Sequence, residues 1–416
     1  MSFGTAGSDP AGSRGWSANE LPPYTAIQVL RSVWWIGAVS LFVSLALTPV
    51  VRYLAYRLQI VDWPDSSGLR LKPHGRPVAY LGGVAMCVGV LGGLACYLAI
   101  MPNSAGHFDG IGYSILRGQV FELFQNPIWN ILGIALAFIT ITAVGLLDDL
   151  HSLKPRHKVY GQVLAAVVLL CGGVGFRMAR VFFGVVGFAP PFWVVVVISV
   201  PLCMAAVIAA CNATNLLDGL DGLCGGVTGI IALGFLALAV HLAMYAHAPG
   251  IDELRVALCL AMAGAVLGFL PYNIPPASIF MGDAGSTLLG FFVATMMILF
   301  CREGNGRWLV AACAVFALPI LDTALAVVRR LLSGRSIFAG DRSHLYDQLV
   351  DRGMTVKQVV VLFYALAAVS AVIGVAAAIF LRGRYAVALY AVLLAIIWVV
   401  FHKLRMIKPE SGYKQQ

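Results

Sequence analysis

The chain has 416 residues, of which 60% are hydrophobic and 11% charged, with a net charge of +9 and a mean hydropathy of +0.88. A soluble domain carries about 25% charged residues, so a single water-solvated core is excluded and lipid is the expected solvent. The basic residues sit in short stretches between apolar runs, where Lys and Arg set orientation and meet anionic headgroups; nucleic acid is not an expected partner.

Residues 1–31 are rich in Gly, Ser and Pro and read as a flexible tail. Apolar stretches then recur at 32–54, 79–100, 128–147, 159–175, 191–210, 224–246, 255–271, 285–301, 308–328, 359–381 and 384–402. Crossing about 30 Å of hydrocarbon takes about 20 residues of helix, and only helices or closed barrels satisfy their backbone there. The expectation is an all-α, polytopic membrane protein with about eleven transmembrane helices. Residues 32–404 form one transmembrane catalytic domain and 405–416 a C-terminal tail. The first run is longer than the apolar core of a signal peptide and enters a basic loop, so it reads as a retained anchor. The piece Val181–Pro190 reads as interfacial. No repeat marks an inverted-repeat transporter. The nine Cys residues lie in or beside apolar runs without a CxxC pair and read as reduced packing residues.

Placing the amino end outside puts 18 of the 28 basic residues in inside segments. The positive-inside rule thus predicts N-out, C-in. The same parity sends five polar clusters to one face: Lys72–Pro77, Asp148–Lys158, Asn212–Asp221, Asn273–Asp283 and Asp341–Asp347. That convergence predicts one site built from cytoplasmic loops. A proton-coupled transporter, the competing class, would carry acids near helix midpoints with access from both faces.

Each cluster carries its own chemistry. The doublet Asp148-Asp149 ends an apolar helix, where paired carboxylates suit a cation or proton acceptance; a solvated helix end is the plain alternative. Lys158, with Gln162, opens the next helix and reads as a snorkelling anchor or as a phosphate holder opposite the acids. In Asn212-Ala-Thr-Asn215-Leu-Leu-Asp218-Gly-Leu-Asp221, spacings of three place Asn212, Asn215 and Asp218 along one helix side. Amides and acids there read sugar or base edges, or complete an oxygen shell. Asp283 falls at a helix N-terminus beside glycines that admit a phosphate, and Phe280 is placed to stack on a base or simply to pack. Arg342 and His344 suit phosphate oxygens, as do Lys72, His74 and Arg76.

In this order, GLLDD, a later Lys and Gln, NATNLLDGLDGL and FMGDAGS resemble the polyprenyl-phosphate N-acetylhexosamine-1-phosphate transferase family over about residues 45–360. The resemblance implies a UDP-N-acetylhexosamine donor, undecaprenyl phosphate as acceptor, Mg²⁺ with Mn²⁺ as the alternative ion, and release of UMP. It implies the first membrane step of O-antigen, exopolysaccharide or teichoic-acid-type synthesis at the inner (plasma) membrane, and a homodimer. On matching positions Asp283 and Asn215 look like metal ligands. Asp148, Asp149, Lys158 and His344 look catalytic, with Lys158 the phosphate-holding lysine and one acid acting on the lipid phosphate. Lys72, His74, Asn212, Asp218, Asp221, Phe280 and Arg342 look like substrate contacts, with Phe280 against the uracil. The chain departs from the family's His-x-His-His at Tyr346 and Asp347, and its doublet continues as Leu-His-Ser. The triple His of the family's peptidoglycan branch is likewise absent, which disfavours a muramoyl-pentapeptide donor; the departures leave the reaction class intact and N-acetylglucosamine or an N-acetylated 6-deoxyhexosamine as the sugar. Single displacement and double displacement through a covalent acid both remain open.

Overall fold

The computed structural model describes residues 24–63, 77–100, 120–245, 251–301, 306–334, 344–381, 383–404 and 406. Helix α1 (Ala26–Arg57) begins six residues before the expected span. The reason is local: Thr25 accepts the backbone N–H of Gln28 while the Gln28 side chain accepts that of Thr25, a reciprocal cap that starts the helix within the stretch read as tail. Strands β1 (Val61–Asp62) and β2 (Val78–Ala79) pair antiparallel before α2 (Gly82–Ile100). Then follow α3 (Val120–Leu123), α4 (Pro127–His151), α5 (Pro155–Cys171), α6 (Arg180–Val186), α7 (Phe192–Leu216), α8 (Leu223–Met244), α9 (Ile251–Asn273) and α10 (Gly282–Phe300). The chain ends in α11 (Gly306–Val315), α12 (Ala317–Leu332), α13 (Leu345–Asp351), α14 (Val356–Phe380) and α15 (Gly383–Lys403).

Among the described residues nine helices are long and apolar enough to cross a membrane, and α11 with α12 make a tenth if that bent pair is one span. The remaining expected span is α5, 17 residues long, or about 25 Å at 1.5 Å per residue. It runs antiparallel to α4 along its length: Trp129 and Asn130 at the start of α4 donate to the carbonyls of Cys171 and Gly172 at the end of α5. The expected span 308–328 is bent by 75° between α11 and α12. Pro319 explains the break, because its ring clashes with the carbonyl four residues back, that of Val315, where α11 stops.

Helix α10 is the most enclosed of the long helices and α15 the least. Glycines let backbones approach α10 closely. A Cβ on Gly83 would meet the Gly285 nitrogen at 2.2 Å, and one on Gly145 the Ala284 Cα at 2.5 Å. The start of α10 is thereby pinned between α2 and the end of α4. Small residues at such crossings are the usual device of helix packing in lipid.

Candidate active site

The ends of these helices enclose one open cleft of about 1260 Å³. Its walls come from Asp62 and Tyr80, from Asp148–Lys158, from Asn215–Asp221, from Asn273–Asp283 and from Thr355–Lys357. Three of the five clusters assigned to one face, Asp148–Lys158, Asn212–Asp221 and Asn273–Asp283, thus line a single cleft; the described residues of the other two, Pro77 and 344–347, do not line it. Lys72, His74 and Arg342 lie outside the described residues.

Lys158 is the electrostatic centre. Its ammonium pairs with Asp148 and stands 2.7 Å from Asp283 Oδ2, joining the ends of α4 and α10 through α5. Asp283 Oδ1 accepts from Asn215 Nδ2 at 2.7 Å, and that amide also reaches Ser286 Oγ at 2.9 Å. Asp148 is only 5% exposed and accepts the Leu153 N–H on its other oxygen. Asp149 acts differently. Its two oxygens accept the backbone N–H groups of Asp283 and Ala284 at 2.7 and 3.1 Å. The positive end of α10, where a phosphate was expected, is therefore capped by Asp149. Gly282 makes this possible: its φ is +68°, and a Cβ there would fall 2.5 Å from Asp149 Oδ2.

The loop after α7 carries Asp218 and Asp221 into the cleft. Burial, and then the charges of Asp283, Asp149 and Asp221, hold the Asp218 carboxyl well above the usual range. Asp221 accepts the Ala277 N–H at 2.9 Å. Phe280 also lines the cleft; its N–H donates to the Ala79 carbonyl and its ring packs 5.8 Å from Tyr80. Burial also pushes the Tyr80 phenol up, assisted first by Asp62.

Two expected residues stand back from the wall. Asn212 bonds Gln162 Oε1 at 3.1 Å and the Ile208 carbonyl and does not line the cleft. His344 is 3% exposed, with Nδ1 2.9 Å from Asp322 Oδ2, and it too is absent from the lining. Asp322 itself was missed by sequence reasoning, as was Lys357, which lines the cleft. An acid inside an apolar run is the signal that would have found Asp322.

Among the described residues no three His, Cys, Asp or Glu side chains are grouped to hold a metal ion by themselves. Mg²⁺ does not require such a cage, since it is commonly bound by one or two carboxylates with substrate phosphates and waters. The donor set fits that habit: six carboxylates and two lysines line the cleft, an oxygen-rich surface of the kind a hard divalent cation takes.

The glycosyl transferase family 4 model matches residues 131–301. A decaprenyl-phosphate N-acetylglucosaminephosphotransferase of Mycobacterium leprae is 31% identical, the match covering 85% of this chain and 86% of the relative. A probable undecaprenyl-phosphate N-acetylglucosaminyl 1-phosphate transferase of Bacillus subtilis is 29% identical over 79% of this chain and 80% of the relative. A phospho-N-acetylmuramoyl-pentapeptide-transferase of Desulforudis audaxviator is 30% identical over 82% of this chain and 96% of the relative.

Proposed function

Because the chain belongs to glycosyl transferase family 4, as a polyprenyl-phosphate sugar-1-phosphate transferase, we propose that it moves N-acetylglucosamine 1-phosphate from UDP-N-acetylglucosamine to undecaprenyl phosphate. A lipid phosphate oxygen forms a bond to the sugar-bearing phosphorus, the bond from that phosphorus to the bridging oxygen breaks, and UMP leaves. The observation that carries this reading is Lys158, held between Asp148 and Asp283: one cation at the junction of three helices, facing an acidic cleft. Lys158 neutralises phosphate charge as it moves between the partners. Asp148 keeps the acceptor phosphate ionised. Both oxygens of Asp149 are engaged by backbone and those of Asp148 by Leu153 and Lys158, which supports single displacement.

Asp283, with the remaining oxygen of Asn215, would hold Mg²⁺, which when bound supplies charge neutralisation for the pyrophosphate. Asp218 and Asp221 meet the hydroxyls and amide of the nucleoside sugar, and Phe280 the face of the uracil. A donor without peptide is favoured because the triple histidine of the family's peptidoglycan branch is absent, His344 being followed by Leu345, Tyr346 and Asp347. The site faces the cytoplasm, as the distribution of Lys and Arg indicates.

The test is UMP release from a panel of UDP-sugars in sealed vesicles containing undecaprenyl phosphate. Inverted vesicles are expected to release UMP with UDP-N-acetylglucosamine, and right-side-out vesicles to stay inactive because the donor does not cross the bilayer. No release from any UDP-N-acetylhexosamine in either orientation would refute the reading.

A further inference from the structure

The acidic loop that follows α7 is held at both ends by tyrosines from the C-terminal part of the chain. At one end, the Tyr346 phenol of α13 donates to the Leu216 carbonyl at 3.1 Å. Its ring lies against Gly219, where a Cβ would come within 2.2 Å of the phenol oxygen. At the other end, the Tyr364 phenol of α14 donates to the Gly222 carbonyl at 2.6 Å. That ring covers Gly226, where a Cβ would meet it at 2.1 Å. Between the two anchors run Asp218 and Asp221, both facing the cleft. Tyr346 and Tyr364 do not themselves line it.

Tyr346 is held in turn. Its ring stacks on His344 at 5.6 Å and 8°. His344 Nδ1 meets Asp322 Oδ2, while Asp322 Oδ1 accepts the Leu345 N–H at 2.8 Å. Asp322 is 1% exposed, so this contact is fully inside the protein. A rod of three buried side chains therefore runs from α12 to the Leu216 carbonyl. The loop it meets contains two glycines, Gly219 and Gly222, the latter at φ +76°. Such a loop has much conformational freedom to lose on ordering, and external anchors remove that cost before substrate arrives.

We propose that Tyr346 and Tyr364 are positioning residues that hold Asp218 and Asp221 ready for the donor, and that Asp322 and His344 act through Tyr346. The proposal rests on the transferase reading only in taking the donor to be a UDP-sugar.

The test compares Tyr346→Phe, Tyr364→Phe, their double variant, and Asp322→Asn alone and with Tyr346→Phe. Phenylalanine keeps both rings and removes only the donors. The donor KM is expected to rise about two- to tenfold per tyrosine, the size of one net hydrogen bond, with kcat within about twofold. Hydrogen exchange at the amides of residues 216–222 is expected to quicken while that within α7 and α8 is unchanged. Asp322→Asn on top of Tyr346→Phe adds little, because both break the same rod. Unchanged KM and unchanged exchange in the double tyrosine variant would overturn the proposal, as would a fall in kcat at constant KM. Should Asp322→Asn fail to fold, the tyrosine variants decide alone. Should the wild type use no UDP-N-acetylhexosamine, the functional reading fails while the exchange comparison still decides the clamp.

Discussion

Replacing Asp149 with asparagine sets a backbone-capping acid against its neighbour Asp148, which a sequence would treat as its equal. Asp149 accepts two N–H groups at the start of α10. An asparagine keeps one of them and turns an NH₂ group toward the other. One charge-assisted hydrogen bond is lost, about 1.5–3 kcal/mol, and an N–H group is left facing a donor, about 1–3 kcal/mol. The lost charge at the helix N-terminus adds about 0.3–1 kcal/mol. The expected destabilisation is about 3–7 kcal/mol. Asp148→Asn differs: the Leu153 N–H keeps its acceptor, and Lys158, 36% exposed, retains Asp283. A partly solvated pair of that kind contributes about 1 kcal/mol or less. Thermal unfolding in detergent, read beside UMP release, separates the two. Asp149→Asn is expected to melt well below wild type and to lose activity with it, as the displaced α10 start carries Asp283 away. Asp148→Asn is expected to lose activity while melting close to wild type. An Asp149→Asn protein as stable as wild type, or an Asp148→Asn protein destabilised more than it, would refute this division of labour.

Gly145→Ala pushes a methyl into the Ala284 backbone, at a cost of about 1–3 kcal/mol for overpacking; a lowered melting temperature with reduced UMP release is expected. Lys158→Met removes the cation between two acids and is expected to slow UMP release by about 10²-fold or more, measured at saturating donor. Burial pushes the Asp347 carboxyl up to about 6 from its ordinary 3.8. Between those values the folded chain holds a proton that the unfolded chain has released, so this group's contribution to stability is present below about 4 and is lost as pH rises through about 6. Asp347→Asn, fixed in the neutral form, is expected to lack that decline, seen as a flatter difference in melting temperature against wild type from pH 4 to 7.

Apolar run length located the long helices, and the alternation of loops located the face on which the acids gather. Both follow from properties of single segments. What escaped was contact between distant segments. That Asp149 would cap α10, 134 residues along the chain, has no local signature, because Asp148 and Asp149 are chemically identical until a helix end is brought to one of them. His344 was expected at the phosphate from its residue type, yet the direction of its ring is set by Asp322. That acid lies in a run apolar enough to be read only as a span. The break before α12 was legible in principle from Pro319, whose position near a helix start rather than in its middle became visible only with the bend.

The central claim is that acids from separate helix ends act together on one donor pyrophosphate. Purified wild-type protein given UDP-N-acetylglucosamine tests it most directly, by UMP formation with and without undecaprenyl phosphate, Mg²⁺ and the Asp283→Asn substitution. UMP is predicted only when lipid phosphate and Mg²⁺ are both present and Asp283 is intact. Equal UMP formation without the lipid, in excess chelator or in the Asp283→Asn variant would contradict it.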